Sequence, residues 1–149
     1  MQYNNEECIE ILKRLIEANK ERIKHYSESI KSMDNDIDRE VILKFEELAQ
    51  QSQQFKAQLT PLIYREGDVE HDNSSINTQV LHTNNHEPKT RRRNELLQTS
   101  VAFEAELLTI YKEVNRCNGM IDEQIKELIF SQATLVSESQ NEIAQLIQD

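Results

Sequence analysis

Six polar side chains fall on the apolar stripes of the helices that the sequence predicts. They are Asn19, Tyr26, Ser52, Glu104, Tyr111 and Gln132. A buried polar group must be hydrogen-bonded, and a buried carboxylate must be hydrogen-bonded or protonated. We therefore predict a buried polar layer across the middle of a helical bundle, and this layer is the candidate site. The alternative is that Glu104 reaches the surface along its aliphatic stem.

Glu104 is the member of this layer with the most defined expectation, because it lies on the predicted buried stripe in mid-helix. Its hydrogen-bond partner is expected on another helix, from Asn19, Tyr26 or Gln132. Replacing Glu104 with Gln keeps the shape and should change the stability little. Replacing it with Ala leaves partners unpaired and a void, which should cost roughly 2–4 kcal/mol.

A four-helix bundle with an inward carboxylate also suggests the hypothesis of a di-metal site. Such a site needs a Glu from each of two helices and a Glu-x-x-His motif from each of the other two. Glu47, Glu104 and Glu138 are the weak candidates for ligands, but Glu47 is followed at that spacing by Gln50 and Glu138 by Asn141. The ligand set is incomplete, so we predict no cofactor; iron or another transition metal is the alternative.

The histidines and the basic run are assigned to the surface. His25 lies off the stripe of its helix, and His71, His82 and His86 lie in a polar segment rich in Asn. The run Lys89–Arg93 holds four basic residues and is expected to be a solvated face or to hold an anion. It is too short for a nucleic-acid site on an acidic chain.

Composition favours long amphipathic helices. The chain has 149 residues, with only 2 Gly and 2 Pro, which argues against folds that need many tight turns. The net charge of −10 disfavours nucleic-acid binding. No apolar run exceeds three residues, so neither a membrane span nor a signal peptide is expected, and a cytoplasmic location is predicted. Cys8 and Cys117 lack metal-binding spacing and are expected to be reduced core or boundary thiols.

Hydrophobic periodicity predicts four helices in one domain spanning residues 1–149. Their approximate ranges are 4–33, 37–65, 94–117 and 121–147. Pro61 should kink or end the second helix. The fourth helix carries a predicted stripe of Ile121, Ile125, Leu128, Gln132, Leu135, Ser139, Glu142 and Leu146, with Ile129, Val136 and Ile143 beside it.

The lengths of the links predict the topology of this all-α domain. Short links make two antiparallel helical hairpins, and a long crossover at about 67–93 joins them and is expected to be more mobile than the helices. One long crossover between two hairpins is the arrangement of a ferritin-like four-helix bundle.

The second helix carries the most specific resemblance to a known family. Its residues are Phe45-Glu46-Glu47-Leu48-Ala49-Gln50-Gln51, Gln54-Phe55 and Leu59, with looser matches at Asn19, Tyr26, Glu104, Tyr111, Gln132 and Val136–Gln140. These residues resemble a bacterial family of uncharacterised ferritin-like four-helix-bundle proteins, the domain of unknown function 2383. The resemblance implies a fold, since the family has no settled activity.

The function expected from these features is not enzymatic. The sequence shows no arrangement of a nucleophile with a base and no glycine-rich phosphate loop. It favours a non-catalytic, cytoplasmic, ferritin-like protein with a stress-related role by fold analogy. The alternatives are a metal-binding or redox bundle with a degenerate di-metal site and a helical protein–protein interaction module. We expect no nucleic acid and no membrane as partner, while a homo-oligomer or a protein partner stays open.

Overall fold

A computed structural model describes residues 5–65, 89–114 and 123–147 of the chain. The predictions made for His71, His82, His86 and Cys117, and most of those made for the crossover, lie outside the described residues.

The described ranges form four helices and contain no strand, which confirms an all-α fold with four helices. The helices are α1 (Asn5–Lys31), α2 (Arg39–Arg65), α3 (Lys89–Lys112) and α4 (Glu123–Leu146). α3 begins five residues before the predicted start at Asn94, so the basic run is its first turn and a half. No helix within these ranges is both long and apolar enough to cross a membrane.

Pro61 was predicted to kink or end α2, and the helix continues through it to Arg65, the predicted end of the helix. A proline inside a helix leaves the carbonyl four residues earlier without its donor, here that of Ala57. Ala57 is exposed, so water can bond that carbonyl, while Leu62 and Ile63 beyond the proline are buried and hold the last turn.

Two aspartates shape the short link between α1 and α2. Oδ1 of Asp34 accepts hydrogen bonds from the backbone N–H groups of Asp36 at 2.8 Å and Ile37 at 3.1 Å. Asp38 immediately precedes α2, and its carbonyl accepts the N–H of Ile42 at 2.8 Å. The linker thus closes as an Asp-stabilised turn, with Asp38 at the N-cap position of α2.

The apolar interior divides into two clusters of buried residues. The larger cluster includes Leu12, Phe55, Leu107 and Ile129, one from each helix. The smaller cluster is built from Tyr26, Val41, Phe45, Leu48, Leu97 and Ile143. α1 packs against α2 and α3, and α4 packs against α3 and α2. Along α1, Asn19 and Arg22 separate the residues of the two clusters, which places polar groups in the middle of the bundle.

The predicted buried stripes hold for α2 and α3 and need correction for α4. Every stripe residue predicted for α2 is buried: Val41, Phe45, Leu48, Ser52, Phe55, Leu59 and Leu62. The same holds for the stripe predicted for α3: Leu97, Ser100, Glu104, Leu107, Tyr111 and Val114. On α4 the buried residues are Ile125, Ile129, Gln132, Val136, Ser139 and Ile143, whereas Leu135 is 41% exposed and Glu142 is exposed. This helix carries two adjacent apolar rows, one through Leu128 and Leu135 and the other through Ile129, Val136 and Ile143. Packing against the other helices buries the second row.

Candidate functional site

A buried ion pair between α1 and α3 forms the centre of the polar layer. Nε of Arg22 donates to Oε2 of Glu104 at 2.8 Å, and Nη2 donates to Oε1 at 2.6 Å. Both side chains are 0% exposed. This parallel, two-bond contact is the strongest geometry available to an arginine and a carboxylate. Glu104 is thus buried, and its principal partner is a cation.

Tyr26 completes the shell of Glu104, since its hydroxyl donates to Oε2 at 2.7 Å. Tyr26 and Arg22 lie four residues apart on α1, so they share one helix face. Burial and then the negative charge of Glu104 raise the pKa of Tyr26 well above its ordinary value. The phenol therefore stays protonated and acts as a donor.

The remaining terminal nitrogen of Arg22 connects the ion pair to α2 through hydrogen bonds. Nη1 donates to Oε1 of Gln51 at 2.8 Å and to Oγ of Ser52 at 3.1 Å. Ser52 passes its own hydrogen to Oδ1 of Asn19 at 2.7 Å. The guanidinium thus bonds to three side chains on two other helices, and none of its nitrogens lacks a partner.

From Asn19 the hydrogen bonds continue through α3 to α4. Nδ2 of Asn19 donates to the carbonyl of Leu15 at 2.8 Å and to the hydroxyl of Tyr111 at 3.1 Å. Tyr111 donates to Oε1 of Gln132 at 2.7 Å, and Nε2 of Gln132 donates to Oε1 of Gln58 at 2.9 Å. Burial raises the pKa of Tyr111 to about 12, so this phenol also stays protonated.

All six residues of the predicted layer lie in this network, together with three residues that were not predicted: Arg22, Gln51 and Gln58. No role was predicted for Arg22 from the sequence. Its spacing of three residues from Asn19 and four from Tyr26 is the signal that would have placed it in the layer.

His25 is half-buried, which corrects its assignment to the surface. Its ring stacks on Phe103 with centroids 4.8 Å apart, and its Nε2 lies 2.8 Å from Oγ of Ser100. Ser100 gives its hydrogen to the carbonyl of Leu96, so Nε2 of the histidine must be the donor. Burial and then the charge of Arg22 lower the pKa of His25 to about 4.

The weak metal-ligand candidates are not brought together. Glu47 and Glu138 are exposed, whereas Glu104 is enclosed with Arg22. Glu47 makes an ion pair with Lys44 at 3.2 Å. Within the part of the chain that the structure describes, no group of three or more His, Cys, Asp or Glu side chains is placed to hold a metal ion. Cys8 is fully buried.

A second buried pair lies where the α1–α2 link meets the start of α3. Nε of Arg93 is 3.7 Å from Oδ1 of Asp38, and Nη2 is 3.9 Å from Glu40. Arg93 is only 7% exposed, which corrects the assignment of the whole basic run to a solvated face. Among the described residues, Nε and Nη1 of Arg93 and Oδ1 of Asp38 have no hydrogen-bond partner.

A groove of about 370 Å³ opens between α2 and α4 beside the polar network. Five glutamines contribute to its wall: Gln50, Gln51, Gln54, Gln58 and Gln132. Gln51 and Gln132 also bond to the buried groups, so the groove and the network share side chains.

Comparisons with protein-family models, with curated proteins and with solved structures each found no match for this chain.

Proposed function

We propose that this chain is a non-catalytic, cytoplasmic, ferritin-like helical bundle whose buried polar layer holds the helices in register. The observation that carries the proposal is the bonding of Arg22, whose guanidinium joins Glu104 on α3 to Gln51 and Ser52 on α2. A buried polar group can select one helix register over its alternatives. A fully bonded ion pair that is 0% exposed offers no group for a substrate to contact.

The order of contacts supports antiparallel helical hairpins. Residue numbers rise on one helix as they fall on the other within the first hairpin, through Arg22–Ser52 and Tyr26–Phe45, and within the second, through Tyr111–Gln132 and Val101–Gln140. The two hairpins also face each other in an antiparallel order. Along α1 and α3, residue numbers rise on one helix as they fall on the other: Asn19–Tyr111, Arg22–Glu104 and His25–Ser100. α2 and α4 behave alike through Gln58–Gln132 and Lys44–Glu142. Together with the long link between α2 and α3, this order favours the ferritin-like arrangement of one crossover between two hairpins. Membership of the domain of unknown function 2383 remains a proposal that rests on the resemblance in α2.

The metal-binding alternative has weaker support because of what occupies the middle of the bundle. Ferritin-like metal sites use inward carboxylates from several helices. Here both oxygens of the inward Glu104 bond to Arg22, and a cation beside a carboxylate opposes the binding of another cation. Metal binding at Glu104 would require Arg22 to leave.

Elemental analysis of protein expressed in medium supplemented with iron, zinc and copper distinguishes the proposed non-catalytic bundle from the metal-binding alternative. We expect less than stoichiometric metal after extensive dialysis. Arg22→Met frees the carboxylate of Glu104 and therefore tests whether Arg22 keeps metal away from it. Arg14→Met is the matched control, because Arg14 lies on the same helix but pairs with Glu113 at the surface. Stoichiometric metal in the unaltered protein that is lost in Glu104→Gln would overturn the proposal.

The interaction-module alternative rests on exposed apolar side chains. The large ones among the described residues are Ile37, Leu43, Phe130 and Leu135, of which Phe130 is the most exposed at 74%. Single apolar residues at a protein surface are common and do not define an interface. A stress-related role likewise stays a prediction from fold analogy.

A further inference from the structure

Each hydrogen bond on the path from Arg22 to the groove has a defined donor and a defined acceptor. An arginine can only donate and a backbone carbonyl can only accept. Arg22 therefore makes Ser52 an acceptor at its oxygen, so the hydroxyl hydrogen of Ser52 goes to Oδ1 of Asn19. The carbonyl of Leu15 independently requires that Nδ2 of Asn19 be the donor on its side.

The same logic continues to the wall of the groove. Tyr111 accepts from Asn19, so its own hydrogen goes to Oε1 of Gln132. The amide nitrogen of Gln132 must then face Gln58, which accepts through Oε1. The NH₂ group of Gln58 is the end of this chain, and no contact with a described residue uses it.

Gln51 ends a second, shorter chain with the same orientation. Its Oε1 accepts from Nη1 of Arg22, so its NH₂ group points away from the guanidinium. That group also has no hydrogen-bond partner among the described residues. Gln51 and Gln58 both line the groove and are seven residues apart on α2, which is two turns or roughly 10 Å.

We infer that the groove between α2 and α4 is a binding site for a small neutral ligand with carbonyl oxygens, which accept hydrogen bonds from the amide groups of Gln51 and Gln58. The volume of about 370 Å³ suits a small molecule. The aligned hydrogen bonds from Arg22 polarise both amides toward an acceptor.

Charge selects a neutral ligand over an anion. Glu47 is the charged residue among those that line the groove within the described ranges, and it is acidic. The whole chain carries a net charge of −10. An anionic ligand would meet this repulsion, whereas a neutral carbonyl accepts the same hydrogen bonds without it. The inference uses the orientation of the polar network and is independent of the proposal that the bundle is non-catalytic.

Titration of protein with ¹⁵N-labelled glutamine side chains tests the inference by nuclear magnetic resonance. The probe is N-acetyl-dialanine methylamide, which is small and neutral and carries several carbonyl groups. We expect saturable shifts of the side-chain signals of Gln51 and Gln58. Glutarate, which carries two carboxylates, should bind more weakly. Absence of saturable shifts at both glutamines, or tighter binding of glutarate than of the peptide probe, would overturn the inference.

Two conservative variants remove the donors without removing the inner hydrogen bonds. In Gln51→Glu and Gln58→Glu an oxygen still accepts from Arg22 or Gln132, but the NH₂ group is lost. Each variant should bind the peptide probe about tenfold more weakly, the effect of one hydrogen bond. Gln53→Glu makes the same charge change at an exposed position outside the groove and should bind within twofold of the unaltered protein, as roughly expected for a surface site. Unchanged affinity in both groove variants would refute the assignment of these donors.

Discussion

Two buried arginine–carboxylate pairs in this bundle differ in how completely they are hydrogen-bonded. Arg22 and Glu104, in the middle, meet through two bonds of 2.6 and 2.8 Å, and all nitrogens of the guanidinium have partners. Arg93 and Asp38, at one end, approach only to 3.7 Å, and three of their buried polar atoms have no partner within the described part of the chain. Burial alone therefore does not measure what an ion pair contributes, because removal from water is offset only where each polar atom finds a partner.

The largest effect should come from breaking the central pair. Glu104→Ala leaves the cation of Arg22 buried without a counter-charge and is expected to lower the free energy of unfolding by about 3–5 kcal/mol. Glu104→Gln leaves the same uncompensated cation, so the small effect expected from sequence gives way to a substantial loss. Urea unfolding followed by circular dichroism measures both variants.

A double variant distinguishes lost charge balance from lost packing at this pair. Arg22→Met with Glu104→Leu should be less destabilised than either single variant, since no buried charge then remains. If the single and double effects simply add, the two side chains are not coupled and the central pair resembles the one at the end.

Acid should lower the stability of the protein through His25, which lies in the middle of the bundle. Its pKa of about 4 in the folded protein lies below the ordinary value of 6.5, so the unfolded chain binds more protons between these pH values. The stability should therefore fall as the pH drops from 6.5 toward 4, by up to about 3 kcal/mol.

His25→Gln is the matched variant for this pH dependence. Its amide can still donate to Ser100, but it does not titrate. Unfolding free energies of both proteins are measured across this pH range, and their difference isolates the histidine from the many carboxylates. Parallel pH profiles would show that His25 is not held in its neutral form.

The pair at the end should be weakly coupled. Arg93→Met removes two unbonded buried donors but leaves the buried carboxylate of Asp38 without its counter-charge, so it is expected to lower the unfolding free energy by about 1–3 kcal/mol, less than Glu104→Ala. A double-mutant cycle with Asp38→Asn measures the coupling directly. A coupling energy as large as that of Arg22 and Glu104 would remove the contrast between the two pairs.

A surface pair supplies the lower limit of the comparison. Lys44 and Glu142 join α2 to α4 at 2.8 Å, with Glu142 51% exposed. Glu142→Gln should lower the stability by roughly 0.2–1 kcal/mol, and less in high salt, because solvent and ions screen the attraction. Thermal melts at two salt concentrations measure this effect, and a loss that is independent of salt would contradict the assignment.

Local sequence pattern predicted the four helices, the buried stripes of α2 and α3, and the burial of Glu104. These features follow from periodicity, since a polar residue at a stripe position must share the environment of its apolar neighbours. The face of α4 could not be predicted in the same way. Leu135 and Val136 are adjacent apolar residues, and only contact with α2 and α3 makes one exposed and the other buried.

The sequence by itself determined that polar groups lie inside a four-helix protein, because six of them occupy apolar stripes. Only the tertiary structure decided which groups form hydrogen bonds with them and which cation pairs with Glu104. Arg22 and Glu104 are 82 positions apart in the chain, and no local pattern pairs charges at that separation. The same packing decided that Arg93 is buried, and it set the orientation of Gln51 and Gln58. Hydrogen-bond directions depend on which donors and acceptors meet, and those meetings arise between helices rather than within them.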